Sequence, residues 1–349
     1  GERPEAELLA VMKHVRFAVM AEGFLRETVG VWPALRSAEA QSMLFNAVLP
    51  ALCGTKVVPR SGFGPRLIYV VGGEGNDGTA KETMELYDPQ NASWTQRADM
   101  LEARAYHGCV ALEGKLYAVG GEDDVDQALD TAEVYDPQAD GWQPLAKMST
   151  TRSGFGLVAV GGKIYAIGGQ GGVGALDSVE AYDPQLSAWA PVASMSVKRG
   201  YHASVVLDGK IYTMGGHAGG AMSDTVEVYD PQADSWQWVA SMPQGQSLHA
   251  ATAMNGKIYV AGGEVNQAAV NSVYVYDPQA DAWTQLASMG NARRLHTSAV
   301  VGGKLYVFGG RDASNARLST AEVYDPALGS WASVPSLTSE RSGMVAVAL

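Results

Sequence analysis

Residues 199–240 read RGYHASVVLDGKIYTMGGHAGGAMSDTVEVYDPQADSWQWVA, and they contain one complete structural unit. The segment HASVVL is apolar and β-branched and runs into the tight turn DGK, so it reads as a strand ending in a hairpin. KIYTMGG is a second strand, whose glycines Gly215 and Gly216 let the chain leave the sheet at dihedrals other residues avoid. TVEVY alternates polar and apolar side chains, as a half-buried third strand does. DPQADS turns the chain, with Pro231 fixing φ and the aspartates bonding locally to the backbone. WQWVA is then an outermost strand.

The same unit recurs along the chain. Glycine pairs begin at Gly72, Gly120, Gly168, Gly215, Gly262 and Gly309, with successive steps of 48, 48, 47, 47 and 47 residues. Each pair is followed by a Tyr-Asp-Pro, at Tyr87, Tyr135, Tyr182, Tyr229, Tyr276 and Tyr324. Seven residues after each tyrosine stands a tryptophan: Trp94, Trp142, Trp189, Trp236, Trp283 and Trp331. A period near fifty with four strands per repeat predicts a six-bladed β-propeller. A buried Trp or Tyr covers about 150–250 Å², so these residues are expected to cement neighbouring blades.

Ring closure is also legible. The first repeat starts directly at RLIYVVGG (66–73), without an inner strand before it. After Trp331 comes a surplus segment, ERSGMVAVAL (340–349), which matches the inner strands ARAYHGCVAL (103–112) and TRSGFGLVAV (151–160). The C-terminus is therefore expected to supply the missing strand of the first blade and remove its open edge.

At 349 residues the chain exceeds one ordinary domain, and the repeats fill everything after about residue 60. Apolar residues at helical spacing (Leu8, Met12, Val15; Phe24, Leu25, Val29; Ala40, Met43, Leu44, Ala47, Val48) predict a short helical unit over 1–52. A Pro/Gly-rich linker, 53–65, follows, and the propeller spans 66–349. The net charge of −12 is unevenly placed: residues 1–60 hold seven basic and six acidic side chains, leaving 18 and 31 for the rest. An acidic propeller argues against nucleic-acid binding, which needs a basic face to displace counterions. No apolar run is long enough for a spanning helix. Two cysteines, Cys53 and Cys109, make no disulfide framework, and with no secretory signal this points to the cytoplasm.

The six glycine-pair, Tyr-Asp-Pro and Trp repeats resemble a kelch domain. LLAVMKHVRFAVMAEGFLRETVGVWPALRSAEAQSMLFNAVLP (8–50) resembles the later part of a BACK domain. Together they resemble a Kelch-like (BTB–BACK–Kelch) protein without the BTB domain and the first part of BACK, as if cut from a longer chain. The resemblance implies a substrate adaptor of a cullin-type ubiquitin ligase, in which a BTB domain absent here would hold the cullin and the propeller would capture a protein or peptide. Alternatives are a kelch scaffold associated with actin and a carbohydrate-processing propeller enzyme. Neither nucleic acid, membrane nor cofactor is expected.

Loop lengths separate the two faces. Turns between first and second strands are short (EGK, GGK, DGK, NGK), and the third-to-fourth turns are variants of DPQADS. The opposite face carries loops that all differ, such as EDDVDQALD (122–130) and RDASNARLS (311–319), and variable loops on a uniform frame are where recognition is expected. Two rings of candidate partner-binding residues lie there. The first is Arg104, Arg152, Arg199, Gln246, Arg293 and Arg341, with Arg294 beside Arg293. The resemblance implies that these arginines contact acidic substrate motifs; the alternative is that they tie blades together. Gln246 and Arg294, which break the symmetry, are the stronger candidates for recognition. The second ring, following each glycine pair, is Glu74, Glu122, Gln170, His217, Glu264 and Arg311. Three glutamates there suit a ligand of mixed or basic charge. A third position, Thr83, Thr131, Ser178, Thr225, Ser272 and Thr320, reads as hydroxyls capping their own loop.

Little in the sequence points to chemistry. His107, His202, His249 and His296 share one repeat position. Ligands to one zinc lie about 2.0–2.1 Å from it, whereas successive blades spread around an axis, so inter-blade hydrogen bonding is expected and no metal site. Glu85, Glu133, Glu180, Glu227 and Glu322 recur on the third strand, with Tyr274 in the fifth repeat, and read as structural. Cys109 reads as buried packing. GGEGNDG (72–78) and GGQGGVGA (168–175) lead into strands, not into the helix that a phosphate loop requires. No catalytic set is expected.

Overall fold

The computed structural model describes residues 67–172, 174–218 and 221–349. The expected helical unit over 1–52 and the linker 53–65 lie outside the described residues. The chain divides into two compact units, Gly1–Gly64 and Pro65–Leu349, and the second is the propeller.

Six four-stranded antiparallel sheets form the blades. Blade four is typical: Ala203–Leu207, Lys210–Met214, Val226–Asp230 and Ser235–Val239 pair in sequence order, with Val205 opposite Tyr212 and Tyr212 opposite Val228. The second strand is buried along its apolar run, and the outer strand is only partly covered, with Gln237 and Trp238 exposed. The inner strands, Gly108–Leu112, Gly156–Val160, Ala203–Leu207, Ala250–Met254, Thr297–Val301 and Val345–Ala348, pack side by side in a closed cycle.

Closure follows the sequence expectation. Val345–Ala348 pairs with Ile68–Val71, Ala348 opposite Ile68 and Val345 opposite Val71, so the C-terminus is the inner strand of blade one. Just beyond the strands, Leu67 N–H donates to Leu349 O at 3.1 Å and Leu349 N–H donates to Leu67 O at 3.0 Å.

The aromatic residues sit between blades. A second-strand tyrosine meets the Tyr-Asp-Pro tyrosine of the next blade in all six junctions, Tyr69–Tyr135 through Tyr306–Tyr87, at ring separations of 5.9–6.4 Å. Each repeat tryptophan donates its indole N–H to a backbone carbonyl of the preceding blade at 2.8–3.3 Å, from Trp94 to Pro335 round to Trp331 to Ala287. Each such bond contributes about 1 kcal/mol net. Asp140, Asp234 and Asp281 add a second tie at three junctions. Each accepts from its own blade's tyrosine hydroxyl at 2.5–2.7 Å and from a backbone amide of the preceding blade at 2.8–3.2 Å.

The glycine pairs are required sterically. Gly215 has φ +68°, and a Cβ there would lie 2.6 Å from both Gln246 O and His249 Cε1. The backbone of one blade touches the incoming chain of the next at that point, and only a residue without a side chain fits.

Candidate functional site

The segment that crosses from one blade's outer strand to the next blade's inner strand carries the first ring. Arg104, Arg152, Arg199, Gln246, Arg293 and Arg341 are all 0–4 % exposed. Their backbone carbonyls accept the N–H of the second glycine of the blade being left, at 2.8–2.9 Å. Their side chains reach into the blade being entered. Arg152 donates to Gly168 O at 2.8 Å and to Glu180 at 2.9 Å; Arg293 donates to Gly309 O at 2.8 Å and to Glu322 at 2.7 Å. Arg104 with Glu133, Arg199 with Glu227 and Arg341 with Glu85 repeat the pairing at 3.0, 3.1 and 2.6 Å. The second carboxylate oxygen accepts a backbone amide of the crossing segment, as Glu133 does from Leu101 and Glu227 from Ser196. Ser178, Thr225 and Thr320 accept from the guanidinium through their hydroxyls.

An accessible crown of arginines is therefore not what the fold displays. Removed from solvent and held through their terminal nitrogens by carbonyls, hydroxyls and carboxylates, with Nε of Arg152, Arg199, Arg293 and Arg341 left without a partner, these side chains latch successive blades. Burial lowers the pKa of Arg199, Arg293 and Arg341, and the facing carboxylates oppose it. Blade five is the exception that fits the rule. Gln246 replaces the arginine and Tyr274 the glutamate, so neither a cation nor a carboxylate is left buried alone.

The second ring stands at the mouth of the axis, on the face with the variable loops. Each of its members bridges to the residue after the first-ring position: Glu74 to Ser342, Glu122 to Ala105, Gln170 to Ser153, His217 to Gly200, Glu264 to Ser247 and Arg311 to Arg294. One residue further on lie Tyr106, Gly154, Tyr201, Leu248, Leu295 and Gly343, all at positive φ of 53–66°. Their backbones form a closed hoop. Tyr106 N–H donates to Gly343 O, Gly154 to Tyr106, Tyr201 to Gly154, Leu248 to Tyr201, Leu295 to Leu248 and Gly343 to Leu295, at 2.7–2.9 Å. The Tyr106 and Tyr201 rings meet edge to face at 6.1 Å. None of these six belongs to the sequence-derived candidates. Gly154 and Gly343 were the only available signal.

Charge at the mouth is partitioned by sector. Glu74 accepts from Tyr106 Oη at 2.7 Å and from Arg311 at 2.6 Å, and it also pairs with Arg317. Glu264 pairs with Arg294, which also donates to Asn315 at 2.9 Å. Glu122 has no cation partner among the described residues and accepts from Ser153 Oγ at 2.6 Å. Burial raises its pKa, the serine opposes this, and Asp126, Glu74 and Asp123 raise it further. His217 lies 3.2 Å from Ser247 Oγ. Burial, Glu122, and Asp126 push the Tyr201 phenol up to about 12, against a bond with Ser153. Burial and the Glu74 bond push the Tyr106 phenol up as well, so neither tyrosine is set up as a nucleophile near neutrality.

The repeated histidines sit between blades. His249 Cε1 lies against Gly215, and its counterparts His107, His202 and His296 lie against Gly72, Gly168 and Gly262. Backbone carbonyls are close to several of these rings, but no ring nitrogen has a hydrogen bond of good geometry. Burial holds His107 and His202 down to about 3 and His249 to about 4. Among the described residues no group of three or more His, Cys, Asp and Glu side chains could hold a metal. Cys109 is buried, and burial pushes its thiol up to about 12. Among the described residues no helix is long and apolar enough to cross a membrane.

Comparison with known proteins agrees with this architecture. A solved structure of YjhT superposes with a TM-score of 0.65 at 16 % identity, covering 76 % of this chain and 97 % of that one, which shows the fold alone. No curated protein matches the chain. The model of the KLHDC2/KLHL20/DRC7 Kelch-repeats domain matches residues 63–247 and 238–349. Six glycine-paired blades, closed by a C-terminal strand and matched by that model over most of the chain, identify the protein as a member of this kelch-repeat family.

Proposed function

We propose that the propeller is a non-enzymatic protein-recognition module that holds a segment of a partner across the axial mouth. The observation that carries this reading is where the symmetry breaks. Latches, tyrosines and tryptophans repeat from blade to blade, whereas the mouth presents Glu74, Glu122, Gln170, His217, Glu264 and Arg311, with Arg294 and the Tyr106 and Tyr201 rings beside them. A fixed frame bearing unlike polar groups, all but the buried Glu264 partly exposed, suits recognition more than catalysis. Glu122, without a cation partner among the described residues, favours a partner that brings at least one basic group. By resemblance, the whole protein is a cytoplasmic substrate adaptor of a cullin-type ubiquitin ligase, with this propeller as its substrate-binding part.

The test is capture of a partner from cell lysate by the intact chain beside two variants, Arg294→Ala/Arg311→Ala and Glu122→Gln. Glu122→Gln retains the melting temperature to within a few degrees, the arginine variant loses some stability because Glu264 and Glu74 give up a partner, and at a temperature where both remain folded both lose the captured protein several-fold. Capture of the same set by all three forms removes the mouth as the binding surface. A captured protein that accumulates in cells when cullin-type ligases are inhibited would support the adaptor role, and actin would favour a cytoskeletal scaffold.

A further inference from the structure

The internal repeats allow one blade to show what fits another. On the third and outer strands, Glu227 is paired with Trp238 in blade four and Glu133 with Pro144 in blade two. In blade four the Trp238 ring lies over the buried Arg199 guanidinium, 6.0 Å from centroid to Cζ, and is itself 52 % exposed. In blade two the proline leaves that place unfilled. A hollow of about 160 Å³ opens there, with Leu101, Ala132, Pro144 and Leu145 as its apolar side and Glu102, Thr131 and Lys147 as its polar side, and with the buried Arg104, paired to both Glu133 and Glu102, beneath.

Two further observations set blade two apart. Leu101, at its lip, is 62 % exposed, while its counterparts in the other crossings are Ser149, Ser196, Pro243, Gly290 and Thr338. The place of Trp238 is taken elsewhere by Gln96, Pro191, Gln285 and Ser333, and only blade two combines a short residue there with a large apolar wall. In volume the hollow is comparable to the enclosed apolar cavity of about 150 Å³ that takes a benzene ring, but it is open to solvent and apolar on one side only. An aromatic ring over a guanidinium adds a cation–π attraction of about 0.5–2 kcal/mol.

We propose that the blade-two hollow is a binding site for an aromatic side chain of a partner protein, received over Arg104 as Trp238 is received over Arg199. The ring enters edge first and stays partly exposed, as Trp238 does, while Leu101 and Leu145 cover its faces. Aromatic anchors in such depressions commonly dominate interface energetics. This site lies apart from the mouth and does not rest on the recognition reading given for it.

The experiment uses fluoroindole as the probe and the intact chain, reading the line broadening of the probe by fluorine NMR. Wild type broadens the signal. Pro144→Trp, which gives blade two the filling of blade four, reduces the broadening several-fold, and Leu101→Ser, at an exposed position, reduces it too. Trp238→Ala opens the second hollow over Arg199 and increases it. Undiminished broadening in Leu101→Ser and Pro144→Trp at unchanged melting temperature overturns the proposal, as does a wild type that leaves the probe sharp. A mouth that captures no partner leaves this result untouched, because the variants report blade two alone.

Discussion

A buried arginine in this propeller is bound on both sides of a blade junction, so its loss costs more than its own contacts. Arg293→Ala strands Glu322 in the interior, where truncating one partner of a buried ion pair costs about 3–5 kcal/mol. Blade five indicates the remedy: Arg293→Gln with Glu322→Tyr copies Gln246 and Tyr274 and is expected to recover more than half of that loss in a denaturant-unfolding cycle. Recurrent arginines were visible in the sequence, but their burial was not. A repeat pattern shows that a charge recurs, not that a carboxylate on the facing strand lies within 3 Å of it. The joint substitution at Gln246 and Tyr274 was also visible, yet only the contacts reveal that the two positions are coupled. The histidines give a prediction of opposite origin. His107, His202 and His249 are held neutral by burial, at about 3, 3 and 4, while an unfolded chain takes up protons near 6.5. The unfolded state then binds more protons below pH 6.5, so stability falls as pH drops from about 6.5 toward 4, by up to tenfold per pH unit for each histidine. Phe155 and Met344 occupy the same repeat position without titrating. His202→Phe is therefore expected to flatten the dependence of melting temperature on pH by one histidine's share, and an unchanged slope would contradict the assignment.

At the scale of the strand, the decisive element is the last one. Val345–Ala348 supplies the inner strand of blade one, and the same segment brings Arg341 to Glu85 and Gly343 into the axial hoop. Deleting residues 340–349 therefore removes a strand, a latch and a link of the hoop together. The truncated chain is expected to be cleaved by a nonspecific protease at rates well above those of the full chain, with early cuts in blades one and six. This closure was readable from the likeness of ERSGMVAVAL to earlier inner strands. The hoop was not. Left-handed backbone is announced by glycine, and here glycine appears in two of six places, the others being Tyr106, Tyr201, Leu248 and Leu295. Their conformation is imposed by neighbours on either side, which no single repeat displays.

For the whole molecule, the two faces are expected to behave differently under substitution. Leu186 and Leu328 stand 75 % exposed on the short-turn face, three blades apart. Leu186→Ser with Leu328→Ser should leave partner capture unchanged, whereas Arg294→Ala with Arg311→Ala should reduce it several-fold in the same assay. Equal loss in both would place the partner elsewhere than the mouth. The six-fold plan and the assignment of faces were legible because loop length and repeat period survive in one dimension. Which mouth residues are neutralised was not, since Glu74 meets its arginines from the far end of the chain. The strand that closes blade one has one more consequence, which concerns time. A ribosome adding about 5–20 residues per second needs on the order of tens of seconds to pass from Val71 to Val345. Throughout that interval Ile68–Val71 has its partner Met84–Asp88 to pair with, while the strand that covers its other edge has yet to be made. The nascent propeller thus carries an unpaired strand until Val345–Ala348 emerges, and its dependence on chaperones during synthesis is expected to be set by that one edge.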